Sequence, residues 1–220
     1  MTAPETGTLE VSGLSYTIEG TKLLSGIYLK CSTGDVIGIL GRNGSGKSTL
    51  LKAIFGTLAG ADKHVLINRT FHELPFRSGL IAYCPQEHFI PENERLSAIA
   101  GIFLARSASD TMKDDERIRP LWRQRFGMLS GGEKKYFEVL LLMYSRAQFL
   151  LLDEPFAGID PIYQGIISAA IMENRKKKGF IITDHHYRNI MNITSALTML
   201  RNGSLHAVAG AADLRKNGLV

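Results

Sequence analysis

Apolar residues recur with two periods along this chain, and the switches between them lay out strands and helices in turn. Residues 9–16 and 23–31 alternate apolar and polar positions, which predicts two half-buried strands joined by a turn at Glu19-Gly20-Thr21. Residues 36–40, Val-Ile-Gly-Ile-Leu, do not alternate; a short unbroken apolar run is what a strand covered on both faces requires. Leu50, Leu51, Ile54 and Phe55 follow at helical spacing, and Gly56 is the expected stop. Short apolar runs at 64–67 and 80–83 add two strands, separated by polar turns and Pro75. From 89 to 128 the strand pattern disappears: 97–104 is apolar at helical spacing, 107–115 is polar, and 118–126 mixes arginines with Leu121, Trp122 and Phe126. A long helix over 134–144, a buried strand over 149–152, a helix over 161–178 with Pro161 in its first turn, and a buried strand over 180–183 come next. Asn202-Gly203 between two short runs is a hairpin signature, and a short helix from Ala211 closes the chain.

This order predicts an α/β fold with a mixed sheet, an N-terminal antiparallel β portion and a small helical subdomain. Residues 1–88 and 129–220 form the core of one domain and 89–128 the helical insertion. A length of 220 residues fits one buried core with such an attachment.

Charge adds little to this picture. A net charge of +5 spread along the chain is explained by a solvated surface, and no nucleic-acid partner is expected. Arg117, Arg119, Arg123 and Arg125 read as a helix face paired with Asp114, Asp115 and Glu116, and the basic residues 175–178 as complements to a helix dipole. Residues 1–8 lack the basic start and apolar stretch of a secretory signal. The apolar region 139–152 is interrupted by Ser145, Arg146 and Gln148, well short of the roughly 20 residues that span a bilayer. The expected location is cytoplasmic, with any membrane crossed by another chain. Cys31 and Cys84, far apart, read as reduced core thiols.

The chemistry gathers where strands end. Residues 36–52 read VIGILGRNGSGKSTLLK, and Gly41 to Ser48 satisfy G-x-x-x-x-G-K-[ST] between a strand and a helix. Asn43, Gly44, Ser45, Gly46, Lys47, Ser48 and Thr49 are the predicted phosphate cradle. The glycines let backbone N–H groups converge, Lys47 supplies a point charge to the β- and γ-phosphates, and Ser48 a hydroxyl to Mg²⁺. Ser130, followed by Gly131, Gly132 and Glu133, is a capping-box helix start and a second potential anion site. The strand 149–152 runs into Asp153 and Glu154; Asp153 suits Mg²⁺ through water, and Glu154 a general base on the attacking water. Gln86 and His185 each follow a strand end, where open α/β sheets bind ligands. Tyr16 is either an edge β residue or a platform for a purine ring.

In this order the motifs resemble those of the ATP-binding cassette (ABC) ATPases over nearly the whole chain. GRNGSGKS resembles Walker A, Gln86 the Q-loop glutamine, LSGGE the signature motif and FLLLDE Walker B with its glutamate. Ala157-Gly158-Ile159-Asp160 resembles the D-loop, His185 the switch histidine, and Tyr16 the adenine-stacking aromatic. The resemblance implies ATP and Mg²⁺ as ligands, with Ser48, Gln86 and Asp153 at the metal and Lys47, Gln86, Glu154 and His185 catalytic. It places Asp160 at the nucleotide. It also implies a second cassette, in a homodimer, whose Ser130, Gly131 and Gly132 reach across to the ATP. A separate transmembrane permease subunit docks at the helical insertion and holds the chain on the inner face of the plasma membrane. The implied function is ATP hydrolysis coupled to transport; a soluble cassette remodelling a cytosolic complex, and a regulatory adaptor, are the alternatives. DEPFAGIDP and ITDHH are locally similar to the ATPases of lipopolysaccharide export. Three features depart from the family: Leu141 replaces the arginine of the signature helix, Ile67-Asn68-Arg69-Thr70 replaces a glycine-marked strand, and His186 has no assigned role.

Overall fold

In the computed structural model, which describes residues 6–185 and 187–208, the two apolar periods become two different sheets. The alternating strands β1 (Thr8–Ile18) and β2 (Thr21–Ser32) pair antiparallel. The unbroken run is β3 (Val36–Leu40), followed by α1 (Lys47–Phe55), which ends at Gly56 in the left-handed region with φ 94°. β4 (Asp62–Ile67) and β5 (Thr70–Phe71) extend the first sheet to the order β2-β1-β4-β5. β6 (Ile81–Cys84), β7 (Phe149–Asp153), β8 (Gly179–Asp184), β9 (Ala196–Arg201) and β10 (Ser204–Ala207) build the second, in the order β10-β9-β3-β8-β7-β6. Its strands run parallel except β10, which returns from β9 at the predicted hairpin.

Burial explains why the second-sheet strands lack alternation. Ile37, Ile39, Phe149, Leu151 and Ile181 face a core shared with α1 and the first sheet. Val36, Leu40, Leu150, Leu152, Phe180 and Ile182 face another, shared with α4 (Gly131–Tyr144) and α5 (Pro161–Asn174). Both faces are covered, so residues 36–40, 149–152 and 180–182 carry no polar side chain. Cys31 and Cys84 sit in different cores as free thiols, each pushed up to about 12 chiefly by burial, which leaves them unreactive.

The insertion contains α2 (Leu96–Phe103) and α3 (Arg106–Lys113), with short 3-10 turns up to residue 128. α3 forms on the polar stretch and buries only Ser109 and Met112. Short α6 (Tyr187–Ile190) follows β8.

Several expectations are corrected. The arginines of the insertion do not form a helix face paired with acids. Asp115 instead accepts from the backbone N–H groups of Arg117 and Ile118 and from the Tyr136 hydroxyl, while Arg119 donates to the Asp114 carbonyl. Among the described residues no ion pair joins these arginines to those acids. Lys178 does not cap its own helix, which ends at Asn174. It is buried and donates to the carbonyls of Ser145 and Ala147, at the end of α4. Where a glycine-marked strand was expected, β4 and β5 meet at Asn68 and Arg69, with φ of 52° and 67°, the two positive φ angles that a type I′ hairpin demands. Leu141 lies fully buried in the core that also holds the insertion's Leu96, Met112 and Phe126, so an apolar side chain suits that position. The helix expected from Ala211, and His186, lie outside the described residues.

Candidate functional site

Parallel pairing collects the carboxyl ends of β3, β8, β7 and β6 along one sheet edge. Leu40 pairs with Asp184, Asp153 with Thr183, and Cys84 with Leu152. The segments that follow these ends therefore converge. A cavity of about 380 Å³ opens there, lined by Leu23, the cradle residues 43–49, Gln86, Glu154 and His185.

The cradle is shaped by backbone. Gly44 and Gly46 take φ of 80° and 97°, where a Cβ is strained, and a Cβ on Gly41 would stand 2.5 Å from the Ser45 hydroxyl. Ser45 Oγ is itself buried and has no hydrogen-bond partner among the described residues. The first α1 bond runs from Leu50 N–H to Gly46 O, and no side chain caps the helix, so the first-turn N–H groups point free into the cavity. Lys47, only 5% exposed, sits among them. A concavity of unpaired donors with a buried cation fits a polyphosphate.

Glu154 is the focus of the side chains. Its Oε1 lies 3.1 Å from Lys47 Nζ, and its Oε2 lies 3.2 Å from Gln86 Nε2 and 3.1 Å from His185 Nδ1. An ionised carboxylate only accepts, so the last contact assigns the proton to His185 Nδ1. Lys47 also donates to the Gly41 carbonyl at 2.9 Å. Glu154 holds φ at 47°, rare for a residue with a side chain and a cost of about 1–2 kcal/mol, and its N–H is tied to Thr183. Three polar groups thus converge on a residue with a strained backbone.

Asp153 is 2% exposed and lies behind the cavity wall, its two oxygens accepting from the Tyr83 and Thr183 hydroxyls at 2.9 and 2.7 Å. Contact with that carboxylate, after burial, holds the Tyr83 hydroxyl well above its ordinary pKa. The donor set of Ser48 hydroxyl, Gln86 amide and Asp153 carboxylate is all hard oxygen and suits Mg²⁺.

Other expected residues stand apart. Tyr16 packs beside the first-sheet core and does not line the cavity; the wall at that side is Leu23, whose Cγ would meet a Cβ on Gly46 at 3.2 Å. Asp160 caps α5, accepting from the N–H groups of Ile162 and Tyr163, and it too is outside the cavity. Ser130, Gly131 and Gly132 start α4 away from the cavity lining, with the capping box to Glu133 closed at 2.7 and 3.3 Å. Leu23, Tyr83 and Thr183 were missed: an apolar strand start and two β-forming residues read as ordinary sheet, and only Thr183, inside the Ile-Thr-Asp-His run, had a visible motif.

A phosphate cradle at the end of a buried parallel strand, with two carboxylates at the end of the next strand but one, defines a P-loop nucleotide-binding protein. More narrowly, the chain belongs to the ABC transporter family, whose model matches residues 24–157. It is 30% identical to a probable ABC transporter ATP-binding protein of Azorhizobium caulinodans, over 96% of this chain and 82% of that protein. It is 28% identical to the lipopolysaccharide export system ATP-binding protein LptB of Escherichia coli strain K12, over 91% and 89%. In fold it is similar to a nucleotide-free ATP-binding cassette from an ABC transporter, with a TM-score of 0.82 at 21% identity, covering 96% of this chain and 94% of the other.

Proposed function

We propose that the chain is the ATP-hydrolysing subunit of an ABC transporter, working as a pair of cassettes on a separate transmembrane subunit. The observation that carries the hydrolytic reading is the convergence of Lys47, Gln86 and His185 on Glu154 at the mouth of the cradle.

In this reading the cradle N–H groups and Lys47 hold the phosphates, and Lys47 exchanges Glu154 for the nucleotide. Glu154, released from that ammonium, accepts a proton from water as its oxygen bonds to the γ-phosphorus and the bond to the ADP oxygen breaks. His185 and Gln86 orient Glu154 and the transferring phosphoryl group. Mg²⁺, when bound, neutralises charge on the phosphate oxygens; Ser48 and Gln86 would hold it, with Asp153 acting through water. Ser130, Gly131 and Gly132 are offered to the nucleotide of a second copy, which accounts for an anion-binding helix start lying outside this chain's own cavity. Tyr16, which pairs in the sheet with Leu24 beside the cavity-wall residue Leu23, would stack on the adenine, and Asp160 would reach the nucleotide in the closed pair. The insertion at 89–128 is the proposed dock for the membrane subunit, which would hold the chain at the cytoplasmic membrane face. Among the described residues no helix is long and apolar enough to cross a membrane.

Lys47→Ala tests the cradle directly. Titration calorimetry with ATP should show affinity falling by at least about a hundredfold, the scale of one buried charge–phosphate contact. Unchanged ATP affinity would contradict the assignment.

A further inference from the structure

Behind the loop that carries Gln86 lies a buried ionic cluster that takes no direct part in the chemistry described above. Lys135 and Glu138, one turn apart on α4, are 2% and 0% exposed. The three hydrogens of the Lys135 ammonium have three acceptors: the carbonyls of Pro85 at 3.0 Å and Gln86 at 3.1 Å, and Glu138 Oε2 at 3.2 Å. Glu138 Oε1 accepts the backbone N–H of Phe89 at 2.9 Å, and Oε2 also meets His88 Nδ1 at 3.0 Å. Two helix side chains thus grip the loop at residues 85, 86, 88 and 89. Among the described residues no backbone–backbone hydrogen bond holds 87–90; beyond the two side chains, the loop is held by buried Ile90 and by the His88 ring against Phe126.

We propose that Lys135 and Glu138 are positioning residues for hydrolysis: a buried strap that sets the reach of Gln86 toward Glu154 and binds that loop to the helix presenting Ser130 and Gly132. The inference rests on the hydrolytic role given to Gln86 and deepens it. Charge-assisted bonds to backbone carbonyls are about twice as strong as neutral ones, so they fix the loop main chain, and the Gln86 side chain departs from there. The signature starts the same helix, one turn before Lys135. A shift of the signature start is therefore carried by one rigid element to the group that contacts Glu154 in this chain's own site. A pair retained only for stability has no need to spend two of the three ammonium donors on this loop. Buried pairs are on average no more stabilising than apolar replacements.

The test uses the full chain with both charges removed together, Lys135→Met with Glu138→Leu, so that no buried charge is left unpaired. We expect unfolding within about 3 °C of wild type, as apolar replacement of similar volume allows, and KM for ATP within about twofold. kcat should fall at least about tenfold, the effect of a sub-ångström misplacement of an orienting group. Lys135→Arg, which keeps charge and donors, should retain kcat within about threefold. A folded double variant with wild-type kcat overturns the proposal, as does a parallel loss of ATP affinity and turnover, which marks a purely structural pair. If the double variant does not fold, Glu138→Gln carries the same expectation of lowered kcat at unchanged KM, and the same refutation. Glu154→Gln run alongside separates the two readings: turnover lost there but kept in the strap variant removes only the strap, whereas turnover kept in both removes the hydrolytic reading itself.

Discussion

Glu154→Gln removes one charge and almost no volume from the centre of the site, so its consequences are worked out from the contacts at that carboxylate. The Lys47–Glu154 pair spans 3.1 Å between side chains 5% and 9% exposed. At an effective dielectric of about 20 this separation corresponds to about 5 kcal/mol of attraction before desolvation is subtracted. Lys47 keeps the Gly41 carbonyl, and the amide keeps an acceptor, so the net loss expected without nucleotide is about 2–3 kcal/mol. For a chain of this length that lowers the melting temperature by about 5–10 °C. ATP binding in the wild type must displace the carboxylate from Lys47; in the variant only a neutral amide opposes it. The same ATP concentration should therefore raise the variant's melting temperature by more than it raises the wild type's. Loss of a general base should cut turnover by about 10²–10⁴-fold. Thermal unfolding with and without ATP and Mg²⁺, beside phosphate release, reads all three effects. Wild-type turnover would refute Glu154 as the base, and equal ATP shifts would refute the exchange of Lys47 between carboxylate and phosphate.

Three further outcomes are expected. Arg69→Gly should stabilise the chain by about 1 kcal/mol in urea unfolding, because Arg69 is exposed and holds φ at 67° without a glycine; destabilisation would mean the side chain does more than turn the hairpin. Burial, followed by the neighbouring Lys177 charge, lowers the Lys178 pKa from 10.5 to about 8. Between those values the unfolded chain binds the proton and the folded chain does not, so the contribution of Lys178 to stability rises with pH across that window. The unfolding free energy of wild type relative to Lys178→Met should move in the wild type's favour by up to about 3 kcal/mol from pH 7 to pH 10, and a pH-independent difference would refute it. Gly132→Ala puts a Cβ 2.5 Å from the Tyr163 ring, so ATP hydrolysis should fall about tenfold, and adding Tyr163→Ala should recover part of it; no effect of the first change would show that the ring yields freely.

What the pattern of apolar positions could state was the period of each element and therefore its kind. β3, β7 and β8 were legible because the stretch of each that is covered on both faces has no polar side chain to blur it, and the cradle because its glycines follow such a strand directly. Partners were not legible where they lie far along the chain. Lys47 and Glu154 meet across more than a hundred residues, and nothing local to either says that they form a pair. The same holds for Leu23, which reads as a strand start and becomes a wall of the nucleotide cavity only through Gly46. Arg117, Arg119, Arg123 and Arg125 misled in the opposite way: nearby acids suggested helical pairing, but the segment folds as 3-10 turns, whose backbone donors claimed Asp115 first.

The strap was closer to legible than these. Lys134 and Lys135 look alike in sequence, yet Lys134 meets exposed Glu92 while Lys135 is buried. What separates them is the helix around them. From Tyr136 to Met143 every residue except Glu138 is apolar, more than two turns without a polar face. A helix apolar all round is buried all round, so a charge inside that run must be buried as well. A buried carboxylate needs a cation and hydrogen-bond donors within reach, and on a helix the cation is sought three or four residues away. Lys134 and Lys135 stand at those two spacings. The sequence thus narrows the cation to two lysines; the fold selects Lys135 and turns its remaining donors toward the loop of Gln86, so that a paired charge in a core also grips that loop.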